Sequence, residues 1–176
     1  YRAARRLLGA APDSGSGPLG ARRDDPVSRL ISAQSHPDLL VLERLGEGGK
    51  TKKSISVDQA RELPEFFSKS PSQARYRVAI IDAADDLNLN AANALLKVLE
   101  EPPERGVLFL VTHAPGRLLA TIRSRCRTLR LPPLDPDAMT QAMAPLEVGG
   151  DPVRLAALAD GSVGEALRLA GQDGLA

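Results

Sequence analysis

Two short apolar stretches flank a segment with helical spacing in the middle of the chain. Residues 77–82 and 107–112 each contain a continuous apolar run, and 90–99 lie between them with apolar residues on one helical face. Such runs, with a helix between them, are typical of parallel strands covered on both faces. Residues 39–43 form a third apolar run. The pattern predicts a parallel α/β sheet with 77–82 in the middle, because helical crossovers join parallel neighbours.

Cap and turn signals predict the other elements around this sheet. Residues 1–8 have the pattern of the later turns of a helix, and Ser56 opens a capping-box sequence that predicts a helix start. Pro64 predicts a kink or an early end of that helix, because proline removes a backbone donor. Residues 117–123 predict a short helix, and the alternation in 128–131 predicts one more strand.

Proline and glycine divide the chain. Residues 9–26 are rich in Gly, Pro, Ser and Asp, which predicts a flexible connection. The pair Pro132-Pro133 predicts a boundary between an α/β domain, 1–133, and a small helical domain, 134–176. Three short helices are expected in the second domain, with starts at Asp135, Asp151 and Ser162.

Composition restricts the function classes. The 176 residues are 43% hydrophobic but only 3% aromatic, so the core must be aliphatic and base-stacking side chains are scarce. A formal net charge of +1 gives no overall attraction to nucleic acid. The single cysteine, Cys126, rules out an intramolecular disulfide and fits a reducing cytoplasm. No apolar run approaches the roughly 18 residues of a membrane span.

A glycine- and lysine-rich segment imitates a phosphate-binding loop. Gly49-Lys50-Thr51 matches the end of that motif, but its first glycine would fall at Arg44. Lysines follow, instead of a helical apolar pattern. We expect a mobile basic loop, whose lysines either contact phosphates or form an ordinary solvated charge run.

The central segment carries a family resemblance in three motifs of fixed order. These are residues 80–85 (Ile-Ile-Asp-Ala-Ala-Asp), residues 90–103 (ending Leu-Leu-Lys-Val-Leu-Glu-Glu-Pro-Pro) and Ser124-Arg125-Cys126. Together they resemble the clamp-loader branch of the AAA+ ATPases, most strongly over residues 76–131. The resemblance implies a P-loop-type parallel sheet with flanking helices, followed by a three-helix lid. It also implies a fragment that lacks the family's central strand and phosphate loop.

The resemblance places a degenerate nucleotide site on four residues. Asp82 matches the family's magnesium position, and Thr112 matches its polar sensor of the γ-phosphate. Ala83 stands where active members carry the glutamate that activates water, and Gly164 stands where the lid carries an arginine. A turn-capping role for Asp82 stays open. These substitutions imply no hydrolysis by the chain itself, no cofactor and no bound metal.

The motif Ser124-Arg125-Cys126 resembles the family's interface motif. There the arginine projects onto the ATP of a neighbouring subunit, a task that suits a permanently charged, forked donor. The alternative is a surface arginine in a local ion pair. Cys126 is expected to be a small buried apolar residue rather than a nucleophile.

The function implied is that of a non-hydrolysing clamp-loader subunit that supplies an arginine finger in trans during replication. The implied partners are gamma/tau-type and delta-type subunits, the sliding clamp, and primed DNA through the assembled complex. Two alternatives stay open. One is an active gamma/tau-type ATPase, and the other is a scaffold in which Arg125 is only structural.

Overall fold

The computed structural model describes residues 1–44, 52–146 and 152–171. Most of the phosphate-loop imitation, 45–51, and the predicted helix start at Asp151 lie outside the described residues. The chain forms two compact units, Tyr1–Arg127 and Thr128–Ala176.

The first unit alternates helices with parallel strands. The helices are α1 (Arg2–Leu7), α2 (Pro26–Ser32), α3 (Val57–Ser68), α4 (Leu89–Glu100) and α5 (Ala120–Arg123). The strands are β1 (Leu39–Glu43), β2 (Arg77–Asp82) and β3 (Gly106–Leu110). The connection before α2 holds a short 3₁₀ turn, Ser14–Ser16, and an isolated antiparallel bridge between Pro12 and Ala21.

The described strands form one parallel sheet in the order β1-β2-β3. The register pairs Val41 with Ile80 and Ile80 with Phe109, so β2 lies in the middle. This confirms the predicted strand directions and order. A strand covered on both faces needs apolar side chains on both, which accounts for the continuous apolar run 78–81 within β2.

Alternate residues of β2 face two separate cores, because successive side chains of a strand point to opposite faces. Ala79 and Ile81 pack in the main core cluster, which also contains residues of α3, α4 and α5. Val78 and Ile80 pack in a second cluster with residues of α1 and α2. The sheet is therefore covered by helices on both faces, as the sequence predicts.

Side-chain hydrogen bonds cap the N-terminal ends of α3 and α4, two of the helices that pack against Ala79 and Ile81. Ser56 and Gln59 form the predicted capping box of α3. Asn88 caps α4, since its Oδ1 accepts a hydrogen bond of 2.9 Å from the Ala91 N–H. Of the two outcomes predicted at Pro64, a kink or an early end, the early end is wrong, because the helix continues to Ser68. Burial of Leu63 inside this helix provides packing that offsets the lost backbone bond.

Asp38 anchors the segment that enters β2. Its buried carboxylate accepts hydrogen bonds from the backbone N–H groups of Ser72 (2.7 Å), Gln73 (2.7 Å) and Ala74 (2.9 Å). The Nε atom of Arg77 lies 3.5 Å from Asp38 Oδ1. Burial alone would raise the pKa of Asp38, but these N–H groups and the Arg77 charge outweigh it and lower the pKa.

Two further predictions need correction. The predicted helix over 117–123 is a 3₁₀ turn, Pro115–Arg117, followed by the four-residue α5. Residues 128–131 were predicted to form a strand but have no strand structure, and Leu129 and Leu131 are 81% and 84% exposed. An alternating pattern becomes a strand only where a neighbouring strand can accept and donate its backbone bonds, and none pairs with it among the described residues.

The described residues of the second unit form three α-helices: α6 (Pro136–Met143), α7 (Pro152–Leu158) and α8 (Val163–Gly171). Their small core includes Met139, Met143 and Leu155. Gly161, which precedes α8, has a φ of +73°, and a Cβ atom there would lie 2.5 Å from the Leu134 carbonyl oxygen. This turn therefore requires glycine.

Candidate functional site

An acidic cleft lies at the carboxyl ends of the strands of the first unit. Its volume is about 410 Å³, and its lining residues are Glu43, Arg44, Asp82, Ala83, Asp85, Asp86 and His113. Open parallel sheets bind ligands at this edge. The strand register brings the last residues of β1 and β2, Glu43 and Asp82, side by side.

Among the described residues that line this cleft, negative charges outnumber positive ones. Four carboxylates line it, and the one arginine among its lining residues is already paired, because Arg44 Nε lies 2.8 Å from Asp86 Oδ2. Among the described residues, no group of three or more His, Cys, Asp or Glu side chains has an arrangement suited to a metal ion. A cleft of this sign does not favour a bare triphosphate.

Asp82 and Ala83 are the residues that the family resemblance matches to a magnesium ligand and to a catalytic glutamate. Asp82 is the half-buried last residue of β2, and both residues line the cleft. The methyl group of Ala83 can neither accept a proton nor orient a water molecule. Whatever binds here, this position supplies no general base.

Thr112 and Asp85 form a loop anchor that the sequence analysis did not identify. The Thr112 hydroxyl donates to Asp85 Oδ1, and Asp85 Oδ2 accepts hydrogen bonds from the N–H groups of His113 (2.8 Å) and Ala114 (3.2 Å). Burial would raise the pKa of Asp85, but the hydroxyl and these two N–H groups outweigh it and lower the pKa. The hydroxyl that was predicted to sense phosphate is therefore bonded within the chain.

Gly164 lies in the first turn of α8, in the second unit. A Cβ atom there would have only Ser162 Oγ nearby, at 4.0 Å. Packing therefore does not require glycine at this position, because a Cβ atom would fit. No side chain is present to contact a nucleotide.

The Ser124-Arg125-Cys126 turn is fixed to the core of the first unit. It follows α5, whose Ile122 is fully buried, and the Arg125 N–H donates to the Ile122 carbonyl at 3.1 Å. Ser124 Oγ donates to the Thr121 carbonyl at 3.1 Å. Cys126 is half-buried against the main core cluster, and burial raises the pKa of its thiol. A buried thiol of this kind is a poor nucleophile.

The guanidinium of Arg125 is held by two acceptors from two helices. Its Nη1 donates to the Thr121 carbonyl of α5 at 2.9 Å, and its Nη2 donates to Glu100 Oε1 at 2.9 Å. Glu100 is the last residue of α4. The side chain of Arg125 remains 36% exposed. The local ion pair that the sequence left open as an alternative is therefore present, and part of the arginine is also accessible.

Glu100 was missed as a partner of Arg125, although it lies within the motif that carries the family resemblance. The available signal was the fixed order of the motifs: a helix that ends in Glu-Glu-Pro-Pro and a later Ser-Arg-Cys turn. Contact between them depends on how α5 packs against α4, which spacing alone does not give.

The comparisons with known proteins agree on one family. A family model described as DNA polymerase III, delta subunit, matches residues 13–135. The delta′ subunit of DNA polymerase III from Pseudomonas aeruginosa is 43% identical over 107 residues, 61% of this chain and 31% of that protein. The delta′ subunit from Bacillus subtilis is 38% identical over 145 residues, 82% of this chain and 42% of that protein.

Gamma-type proteins are also similar. The gamma/tau subunit from Mycobacterium bovis is 34% identical over 139 residues, 79% of this chain and 23% of that protein. The crystal structure of a gamma subunit-related protein from Thermotoga maritima matches with a TM-score of 0.52 and 26% identity, over 81% of this chain and 48% of that one. The parallel sheet with flanking helices is thus an AAA+ clamp-loader-like fold.

The chain spans less than half the length of these curated relatives. Within the described residues, no helix is both long and apolar enough to cross a membrane. The family match nevertheless covers well over half of the chain, and the two relatives named delta′ are 43% and 38% identical to it over the matched residues. The chain belongs to the DNA polymerase III delta subunit family and is of the delta′ type.

Proposed function

We propose that this chain forms part of a clamp-loader subunit that does not hydrolyse ATP itself and supplies Arg125 to the ATP site of a neighbouring subunit. The observation that carries the proposal is the placement of Arg125. It lies on a turn fixed to the core through the buried Ile122, yet its side chain is 36% exposed. A fixed backbone with an accessible guanidinium suits action on a group outside the chain.

The chemistry of such a site calls for this kind of residue. Charge builds on the transferred phosphoryl group in the transition state, and an arginine from another subunit stabilises it. The Arg125 fork uses two of its N–H groups within the chain. Its other N–H groups have no partner among the described residues, so they can donate to phosphate oxygens.

The absence of hydrolysis in the chain's own site is proposed from Ala83, Gly164 and the charge of the cleft. Ala83 provides no base, and Gly164 provides no cation on α8. The four carboxylates of the cleft oppose triphosphate binding.

The partners follow from the same role and are part of the proposal. A finger in trans needs an adjacent ATPase, for which gamma/tau-type subunits are the candidates, in a ring that also holds a delta-type subunit. The assembled ring would open a sliding clamp and load it on primed DNA in the cytoplasm. A formal net charge of +1 fits DNA contact made through the assembly rather than by this chain alone.

A second candidate is a scaffold subunit in which Arg125 only joins two helices. The ion pair with Glu100, at 2.9 Å, favours this role. An active gamma/tau-type ATPase is the other alternative, favoured by the similarity to gamma/tau subunits at 34% identity.

The test is the clamp- and DNA-stimulated ATPase activity of a reconstituted loader with Arg125→Ala in the full-length subunit. We expect a large loss of activity with assembly intact. Arg123→Ala is the matched control, since Arg123 is an exposed cation at the end of α5 whose Nη1 donates a long hydrogen bond of 3.4 Å to the Pro115 carbonyl. Unchanged activity of the Arg125 variant in a correctly assembled ring would favour the scaffold. Turnover by the isolated subunit would favour the active ATPase.

A further inference from the structure

Glu100 contacts Arg125 from a different helix and has no role in the function proposed above. Its Oε1 accepts a 2.9 Å hydrogen bond from Arg125 Nη2, while the Thr121 carbonyl accepts one from Nη1. The two acceptors belong to α4 and α5, and together they fix the plane of the guanidinium. We propose that Glu100 is a positioning residue for Arg125, which deepens the proposed function and rests on it.

The backbone at Glu100 can serve as a fixed support. Leu95 and Val98 of the same helix are buried in the main core cluster, and the Glu101 N–H donates to the Lys97 carbonyl at 3.1 Å. Pro102 then ends the helix. A carboxylate on such a support limits the directions in which the arginine can point.

An unsupported arginine loses much rotamer freedom when it must meet a phosphate in one geometry. Each extended side chain of this type carries about 2 kcal/mol of rotamer entropy. Acceptors already present in the free subunit remove part of this loss before the neighbour's nucleotide arrives. The N–H groups left over after the two bonds remain available for phosphate oxygens.

The same pair could instead hold the arginine away from its target. Its exposure decides between the two roles, since the side chains of Arg125 and Glu100 are 36% and 52% exposed. Ion pairs with this degree of exposure are worth about 0.2–1 kcal/mol. That is too weak to keep a guanidinium from a triphosphate, but it is enough to bias its rotamers. The pair therefore orients the Arg125 side chain and does not hold it away from the nucleotide.

The experiment is a double-mutant cycle in the reconstituted loader, with kcat and KM for ATP measured for Glu100→Ala, Arg125→Ala and the double variant. We expect Glu100→Ala to lower kcat by about 1.4-fold to fivefold, the change to which the free energy of an exposed pair corresponds, with KM little changed. In the Arg125→Ala background, Glu100→Ala should have no further effect, because Glu100 acts only through Arg125.

Two further variants sharpen the test. Glu100→Gln keeps an oxygen that can accept from Nη2, so its kcat should lie between those of the wild type and Glu100→Ala. Glu101→Ala, at the adjacent exposed carboxylate, should match the wild type.

The outcomes separate this inference from the proposed function. Wild-type activity of Arg125→Ala would overturn both. A large loss for Arg125→Ala with an unchanged Glu100→Ala would overturn only the positioning role. A higher kcat for Glu100→Ala, an equal loss in both backgrounds, or a Gln variant no faster than the Ala variant would also overturn it.

Discussion

Replacing Asp38 should destabilise the protein far more than replacing an exposed carboxylate. Asp38 is fully buried, and Ser72, Gln73 and Ala74 donate three backbone N–H bonds of 2.7, 2.7 and 2.9 Å to it. Arg77 Nε approaches at 3.5 Å. In Asp38→Ala the three backbone donors lose their acceptor, and the buried guanidinium of Arg77 loses the carboxylate of its ion pair.

The magnitude follows from these contacts. Hydrogen bonds to a charged group contribute about 1.5–3 kcal/mol each, but their sum overestimates the loss because the 72–74 backbone can relax toward water. Removing one partner of a buried charge pair costs about 3–5 kcal/mol, which we expect for Asp38→Ala. In Asp38→Asn an amide oxygen in the Oδ2 position keeps the bonds from Gln73 and Ala74. The amide nitrogen then faces the Ser72 N–H, so we expect a loss of about 2–3 kcal/mol, one charge-assisted bond.

Urea unfolding followed by far-UV circular dichroism measures both losses. The pKa of Asp38 is lowered below its ordinary 3.8 in the folded state, so the carboxylate contributes stability above that value. This contribution is lost as the pH falls through the lowered folded pKa. The difference between the wild type and Asp38→Asn should therefore be constant near neutral pH and shrink in strong acid.

Asp58→Asn is the matched control. Asp58 is 83% exposed and pairs with Arg61 on the surface of α3 at 3.2 Å. We expect a loss below about 1 kcal/mol for this variant. Equal losses for Asp38→Asn and Asp58→Asn, or a difference that grows toward acid pH, would refute the reasoning.

Two further predictions concern β3 and the acidic cleft. Gly106→Ala should cost about 1–3 kcal/mol of unfolding free energy, because the added Cβ would lie 2.2 Å from Pro103 Cγ. In urea titrations Gly116→Ala, with nothing within 4 Å of its Cβ, should be near neutral. In a phosphate-release assay, the isolated protein should hydrolyse no ATP above background. Asp82→Asn should leave this background rate unchanged. ATP turnover by the isolated protein that Asp82→Asn abolishes would contradict the absence of hydrolysis. An unchanged stability of Gly106→Ala would contradict the close packing at Gly106.

The sheet could be predicted because its central strand is buried on both faces. That environment requires an unbroken apolar run, and β2 shows one. The alternation in 128–131 was misleading, because an alternating pattern is a property of one segment and does not show whether another strand lies beside it to form backbone hydrogen bonds. Pro64 was misleading for a related reason: local propensity favours a break, while the buried Leu63 and the packing of α3 favour continuation.

The candidate site was predictable only in part. The position of Asp82 at a strand end follows from the strand pattern, whereas Thr112, predicted at a strand end, lies two residues beyond the end of β3. The anchoring of Thr112 by Asp85 does not follow from that pattern, because it joins residues 27 positions apart, with α4 and β3 between them. The Glu100–Arg125 pair is similar, with a separation of 25. Both depend on tertiary packing that periodicity does not encode.

The central claim concerns one arginine acting on a neighbour's nucleotide, and one rate tests it most directly. The measurement is single-turnover ATP hydrolysis in a reconstituted loader in which only the site adjacent to this subunit is active. Trans arginines contribute about 10³–10⁵ in rate in GTPases, so Arg125→Ala should slow hydrolysis at this site at least about 100-fold.

Arg125→Lys should recover little of that rate, because an ammonium cannot reproduce the forked geometry. Arg123→Ala should keep it. A wild-type single-turnover rate for Arg125→Ala in an intact, nucleotide-loaded ring would contradict the account and leave Arg125 as a surface partner of Glu100.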